Sequence, residues 1–366
     1  MTNSINKKIT FLINSLGGGG AEGVCLTLAN SLIEKGWSVD LVVLHLDNAT
    51  NQEKLHPKVN LINLNTKNAR KSFLPILKYI LKIKPNKVLV FNQQLAVLLI
   101  LIKYMTFLRF KIVARNINTL SEAQKNQKSF WHKYIVHFIV KFLYNKVDKI
   151  IAQSIGMKND LCANFGFKSK QVIVINNPLN QEIERFDTNS FKLVEKQDYI
   201  LCIGRLEKQK AFHYAIKAFA KISLLFPLLR LKIVGVGSLE KELRKLSEDL
   251  NIAEKIDFEG FQKNVIPYYL YAKATILTSL YEGFPNVLTE SIALGTPVVA
   301  FDCPSGPKEI IEDGINGYLA EYLNEEDFIE KLKKVLINNF EADSLKATIN
   351  KYHQESIISK YIGLLS

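Results

Sequence analysis

Residues 279–290 read Ser279-Leu280-Tyr281-Glu282-Gly283-Phe284-Pro285-Asn286-Val287-Leu288-Thr289-Glu290. The apolar run just before them, Ala274 to Thr278, has the length and composition of a buried strand. Gly283, Pro285 and Asn286 are turn and helix-start residues, and a helix over Asn286–Leu294 is expected behind them. The segment is therefore strand, loop, helix, the unit from which parallel α/β sheets are built. It also places two carboxylates eight positions apart, Glu282 in the loop and Glu290 on the helix.

The same unit recurs along the whole chain. Strands are expected at Lys8–Ile13, Ser38–Leu44, Val59–Ile62, Lys87–Phe91, Lys111–Ala114, Lys149–Ala152 and Val172–Ile175, with helices between most of them. Asn176-Asn177-Pro178 interrupts the pattern and reads as a linker. A second series follows at Tyr199–Gly204, Leu231–Gly235, Lys255–Phe258, Ala274–Thr278 and Pro297–Phe301. At 366 residues the chain suits two such domains. The expected division is 1–178, 179–345, and a last helix within 346–366 packing back toward the first domain. In open parallel sheets ligands bind at the carboxyl ends of the strands, so two facing sheets would enclose a cleft with the motifs at its edge.

Composition narrows the function classes. Hydrophobic content of 48% and charged content of 23% describe a globular protein. Cys25, Cys162, Cys202 and Cys303 are far apart, which argues against a disulfide framework or a zinc site and for a reducing compartment. No secretory signal is expected at the start, because Lys7-Lys8 precedes only a short apolar stretch. Net charge is unevenly divided. Residues 1–180 carry 25 basic and 8 acidic side chains, a net of +17, whereas the remainder is −4. The first half should attract a polyanion, namely a lipid headgroup layer, a diphosphate or nucleic acid. Leu95–Phe110 is too short and too interrupted to span a bilayer. It reads either as a core helix or as an interfacial one with lysines reaching headgroups.

The chemistry concentrates in loops that leave strands. A sugar nucleotide lying across the 279–290 turn would meet one carboxylate for sugar hydroxyls, one for ribose hydroxyls, and free N–H groups of the helix start facing its diphosphate. Arg205 and Lys210 stand five apart in Gly204-Arg205-Leu206-Glu207-Lys208-Gln209-Lys210, where a planar fork and a point charge suit phosphate oxygens. Gly17-Gly18-Gly19-Gly20 separates the first strand from the first helix and permits close backbone approach to a ligand, though its spacing is a poor dinucleotide fingerprint. Asp302-Cys303-Pro304-Ser305-Gly306-Pro307-Lys308-Glu309 reads equally as a rigid turn or a ligand contact. Arg115-Asn116 follows a strand of the basic half and is a candidate for an anionic acceptor. The six histidines show no metal spacing and no D-x-D occurs, so no metal is expected.

In this order the motifs resemble the retaining glycosyltransferases of family 4, which share the GT-B architecture of two Rossmann-like domains. Glu282-x7-Glu290 is similar to the family's E-x7-E signature. Arg205 and Lys210 correspond to its diphosphate-gripping pair, and Gly19-Gly20-Ala21-Glu22 resembles its G-G-A-E loop, with Gly23 in place of the usual Arg. Arg115-Asn116 resembles the S-E-R-N element of bacterial members, with Ala114 replacing its Glu. Segment Asp302–Ile311 is similar to members that build glycans on undecaprenyl diphosphate. The resemblance implies a UDP-sugar donor, plausibly UDP-GalNAc or UDP-GlcNAc. The acceptor would be an undecaprenyl-diphosphate-linked glycan at the cytoplasmic face of an anionic membrane, in O-antigen, capsule or glycoprotein assembly. It implies that Glu282, Arg205 and Lys210 serve catalysis, that Gly19, Gly20, Gly283, Phe284, Pro285, Asn286, Val287 and Glu290 complete the donor site, and that no cofactor is needed. The open alternatives are a GDP-mannose, UDP-glucose or UDP-galactose transferase of the same fold, a sugar-nucleotide 2-epimerase, and a non-catalytic nucleotide-sugar or nucleic-acid binder. The last lacks a recognisable nucleic-acid motif.

Overall fold

Short apolar runs become stable strands only when both faces of the sheet are covered, and this chain achieves that twice. The computed structural model describes residues 7–17, 19–47, 49, 52–125, 142–187 and 195–366. They fall into two units: residues 1–180 with 354–366, and residues 181–353. The helix expected at the end of the chain spans Gln354–Leu365 and belongs to the first unit, whereas residues 346–353 stay with the second.

The first unit holds a seven-stranded parallel sheet in the order β3-β2-β1-β4-β5-β6-β7. The strands are β1 (Lys8–Ile13), β2 (Ser38–Val43), β3 (Asn60–Asn63), β4 (Lys87–Val90), β5 (Lys111–Arg115), β6 (Lys149–Ala152) and β7 (Val172–Val174). Alternate residues face opposite sides. Ile9, Phe11 and Ile13 enter a core closed by α1 (Gly20–Glu34) and by the last helix, through Ile357, Ile358, Tyr361 and Leu365. Leu12, Val88, Val90 and Ile112 enter the opposite core, closed by α2 (Phe73–Ile83), α3 (Gln93–Thr106) and α4 (Ile155–Phe165). Asn92 caps α3 by accepting from Gln94 N at 2.7 Å, and Ser154 caps α4 by accepting from Met157 N at 3.1 Å.

Leu95–Phe110 forms most of α3 and the residues that follow it. Its first two-thirds are core, with Leu95, Leu99, Ile100 and Ile102 buried, while Leu101, Tyr104 and Met105 are exposed. No helix among the described residues is long and apolar enough to cross a membrane. All four cysteines are free thiols.

The second unit holds a six-stranded parallel sheet in the order β10-β9-β8-β11-β12-β13. Its strands are β8 (Tyr199–Ile203), β9 (Arg230–Val234), β10 (Ile256–Gly260), β11 (Ala274–Leu277), β12 (Val298–Phe301) and β13 (Gly317–Ala320). The helices α5 (Phe212–Leu225), α6 (Glu240–Asp249), α7 (Ile266–Tyr271), α8 (Asn286–Ala293) and α9 (Glu325–Ile337) flank it. Strand β13 is absent from the sequence expectation. Its four residues begin with a glycine behind a polar turn, and pairing with β12 rather than local pattern makes it a strand.

Arg115, at the end of β5, is 1% exposed. Its Nε donates to Tyr361 Oη of the last helix at 3.1 Å, its Nη2 donates to Asn177 Oδ1 in the linker, and its guanidinium lies 5.7 Å from the Phe91 ring centroid. One buried cation thus ties the last helix and the linker to the sheet of the first unit. Tyr361→Phe should lower the unfolding free energy by about 2 kcal/mol, as expected for a hydrogen bond to a charged group. Urea unfolding checks this, and an unchanged midpoint would remove the tie.

Candidate active site

In a doubly wound sheet the ligand crevice opens where the strand order reverses. In the second unit that point lies between β8 and β11. The loops leaving these two neighbouring strands, 204–211 and 278–285, carry Arg205, Lys210 and Glu282.

Lys210 Nζ donates to Glu282 Oε1 at 2.6 Å, and Ser279 Oγ donates to the same oxygen at 2.6 Å. The two charged side chains are 15% and 7% exposed. Each charge is thus met by the other in a place with little access to bulk water. Arg205 lies on the same loop and is exposed. Its neighbour Glu207 is turned toward the loop after β9, where Ser238 N and Ser238 Oγ donate to its two carboxylate oxygens at 3.0 and 2.9 Å. Those two hydrogen bonds hold the Glu207 carboxyl below its usual range, with a smaller contribution from Arg205.

The loops are braced to one another through backbone groups. Leu280 N donates to Gln209 O at 2.8 Å, Gln209 Nε2 donates to Tyr281 O at 2.9 Å, and Thr278 Oγ1 donates to Lys210 O at 3.1 Å. Ala211, next to Lys210, is held at φ 46°, a left-handed conformation that a residue with a Cβ adopts at a cost. The loop after β12 joins in, since Glu282 N donates to Pro304 O at 3.3 Å and Ser305 Oγ donates to Gly283 O at 3.1 Å. Gly306 has φ +103° and lies so close to Pro285 that a Cβ would collide with its ring. Gly235 sits under the Gly204 carbonyl with no room for a side chain. The Asp302–Glu309 segment thus supports the 279–290 turn by direct contact.

Helix α8 begins directly behind Pro285. Phe284 is buried and meets Tyr352 edge-on at 5.1 Å. Glu290, one turn into α8, accepts from Tyr269 Oη of α7 at 2.9 Å. Burial pushes the Glu290 carboxyl above its usual range, and the Tyr269 hydrogen bond opposes that only in part.

The remaining candidates lie in the first unit. Gly19 and Gly20 are exposed, and the helix starts at Gly20. Gly18 of the glycine run is outside the described residues. The Glu22 carboxylate folds back against Gly19. Around Gly23 a Cβ would meet nothing within 4 Å, so a larger side chain would have room there. Sequence offers Arg115 and Asn116 to an acceptor, but the structure turns both inward. Asn116 is buried, donates through Nδ2 to Asn118 O at 2.8 Å, and its carbonyl accepts from Gln153 Nε2 at 2.6 Å.

Sequence reasoning assigned no role to Ser279, Gln209, Tyr269 or the Glu207–Ser238 clamp. Ser279 and Gln209 were visible inside the motif loops. The glycine pair of Gly235-Val236-Gly237-Ser238 after β9 was the available signal for the clamp. Tyr269 carried none, because only the packing of α7 on α8 brings it to Glu290. Among the described residues no group of three or more His, Cys, Asp or Glu side chains is placed to hold a metal ion.

Comparison with known proteins bears on both units. Residues 18–182 match the family described as Glycosyltransferase Family 4, and residues 184–355 match Glycosyl transferases group 1. An uncharacterized glycosyltransferase of Haemophilus influenzae is 30% identical over 369 residues, covering 98% of this chain and all of that protein. A Campylobacter jejuni protein, N-acetylgalactosamine-N,N'-diacetylbacillosaminyl-diphospho-undecaprenol 4-alpha-N-acetylgalactosaminyltransferase, is 33% identical over 210 residues, covering 57% of this chain and 56% of that protein. The crystal structure of Anabaena HepE in complex with UDP superposes with a TM-score of 0.77 at 18% identity, over 98% of this chain and 99% of that one, a likeness of fold.

Removing one partner of a desolvated ion pair strands the other. Lys210→Ala should therefore destabilise the protein by about 3–5 kcal/mol, and Lys210→Met combined with Glu282→Leu should recover most of that loss. Thermal unfolding of the single and double variants checks this. Equal melting temperatures for wild type and Lys210→Ala would mean that the pair is solvated.

Proposed function

This chain belongs to the glycosyltransferases, a family 4 unit followed by a group 1 unit, and from that premise we propose that it transfers a sugar from a UDP-sugar to a lipid-diphosphate-linked glycan. The sugar is GalNAc or GlcNAc, and the acceptor rests on undecaprenyl diphosphate at the cytoplasmic membrane face, in surface polysaccharide or glycoprotein glycan assembly. The Campylobacter relative, whose name specifies such an acceptor and sugar, supports this choice. The observation that carries the reading is the meeting of Lys210 with Glu282, 72 residues apart in sequence, at the switch point of the second sheet.

In this reading the work is divided among the loops. Arg205 and Lys210 take the diphosphate, together with the amides at the start of α8 near Asn286 and Val287. Glu282 then accepts hydroxyls of the donor sugar, with Gly283, Phe284 and Pro285 fixing the loop that presents it. Glu290 accepts the ribose hydroxyls, oriented by Tyr269. In the step itself the bond from the anomeric carbon to the β-phosphate oxygen breaks. The acceptor hydroxyl oxygen bonds to that carbon from the same face, and its proton passes to the departing diphosphate. Configuration is retained. The charge that develops on the leaving group is met by side chains and amides already in place, with no metal step.

Arg205 is exposed, so Arg205→Ala should leave stability within about 0.5 kcal/mol while lowering kcat on the order of 10²–10³-fold, as for loss of one electrostatic donor. Steady-state kinetics with UDP-GalNAc, UDP-GlcNAc and short undecaprenyl-diphosphate glycans, with product anomers assigned by NMR, tests the reading. Wild-type kcat in the variant, an inverted product, or epimerisation of UDP-GlcNAc without acceptor would overturn it.

A pH dependence follows from Glu290. Its pKa is raised, and the ionised form accepts ribose hydroxyls, so acidification protonates it and should raise the donor KM. Glu290→Gln should show a high KM that no longer changes with pH. A wild-type KM that is flat on the acid side would remove Glu290 from the ribose.

A further inference from the structure

We propose that the outer face of α2 and the last turn of α3 form a single surface that lies on an anionic phospholipid bilayer. This rests on the lipid-linked acceptor proposed above and specifies which side of the first unit meets the lipid. Helices α2 and α3 close the same core on one face of the sheet, so their outer faces look the same way.

Charge gives the first argument. Residues 54–114, which leave out the buried Arg115, contain twelve Lys and Arg and no Asp or Glu. On α2, the exposed side chains Leu74, Lys78, Leu81 and Lys82 share one helical face. Cations alternate there with leucines that are 63% and 46% exposed. An interface with another protein is depleted in lysine at its core, and phosphate-backbone binding to nucleic acid has no use for exposed leucines. A headgroup layer over acyl chains accommodates both, because lysine reaches outward to phosphates while the apolar side chain enters below them.

The end of α3 gives the second. Tyr104, Met105 and Phe107 are 59%, 62% and 89% exposed. Phe107 ends the helix at φ 55°, the left-handed conformation in which glycine or asparagine is the low-strain choice. Here the chain places a bulky aromatic in a strained backbone position and leaves it in water. Phenylalanine, with leucine and tryptophan, is a side chain that interfacial segments bury at the boundary of headgroups and acyl chains.

Flotation with vesicles of 30% phosphatidylglycerol in phosphatidylcholine tests the surface. Wild type should bind these in a salt-sensitive manner and bind pure phosphatidylcholine far less. Lys78→Glu with Lys82→Glu should weaken partition by at least tenfold, taking about fivefold per cation lost near a charged surface. Phe107→Asn should also weaken partition while its melting temperature stays level or rises, since asparagine tolerates the backbone there. Transfer to an acceptor with a short, water-soluble lipid should remain within twofold of wild type in every variant. Equal partition of wild type and variants, salt-independent binding to neutral vesicles, or tighter binding to random oligonucleotides than to anionic vesicles would overturn the surface. Vesicle binding without any transfer would instead overturn the acceptor reading and leave the surface standing.

Discussion

The contact between Lys210 and Glu282 sets the terms for the second unit. A cation and an anion meet with little access to bulk water, and removing either would leave a buried charge without its partner. Such a pair adds little net stability compared with well-packed apolar side chains, so its presence points to the ligand rather than to the fold. It also prepares two groups at once. In the proposed reaction a diphosphate would draw the ammonium and a sugar hydroxyl would satisfy the carboxylate, so a donor would take up both charges without either being exposed unpaired. The hydrogen bonds of Gln209, Thr278 and Ser305 hold the surrounding loops so that this exchange needs small side-chain movements.

Much of this architecture was legible in the residues. Runs such as Lys8–Ile13 and Lys149–Ala152 are too apolar and too short to be anything but interior strands, and the structure reproduces those bounds. Strand β13 escaped because its strand character comes from its neighbour. Within the candidate site, the spacing of Glu282 and Glu290 and of Arg205 and Lys210 pointed to segments that follow two adjacent strands. That Lys210 and Glu282 face each other was not legible, since it depends on β8 and β11 being adjacent, which is a property of strand order. Arg115 shows the opposite limit. At a strand's carboxyl end a cation looks like a ligand contact, and only the positions of Tyr361 and Asn177 reveal that its Nε and Nη2 are bonded inside the unit.

Global and local charge do different things in this molecule. The second half of the chain is net negative, yet it carries the two cations proposed to receive a diphosphate. Long-range attraction from that half would not favour an anion, so its capture depends on the short-range placement of an exposed Arg205 and a half-buried Lys210. The excess of positive charge lies in the first half, where a broad surface rather than a single ligand can use it.

The last helix, Gln354–Leu365, contributes Ile357, Ile358, Tyr361 and Leu365 to the core of the first unit, although the whole of residues 181–353 intervenes. During synthesis the first sheet therefore emerges with one side unsealed, and it must wait for some 170 further residues before its covering arrives. A ribosome-bound chain would expose an oily groove along α1 for that interval. Chaperone dependence of this protein should thus be set less by its size than by the delay between making a surface and making its lid.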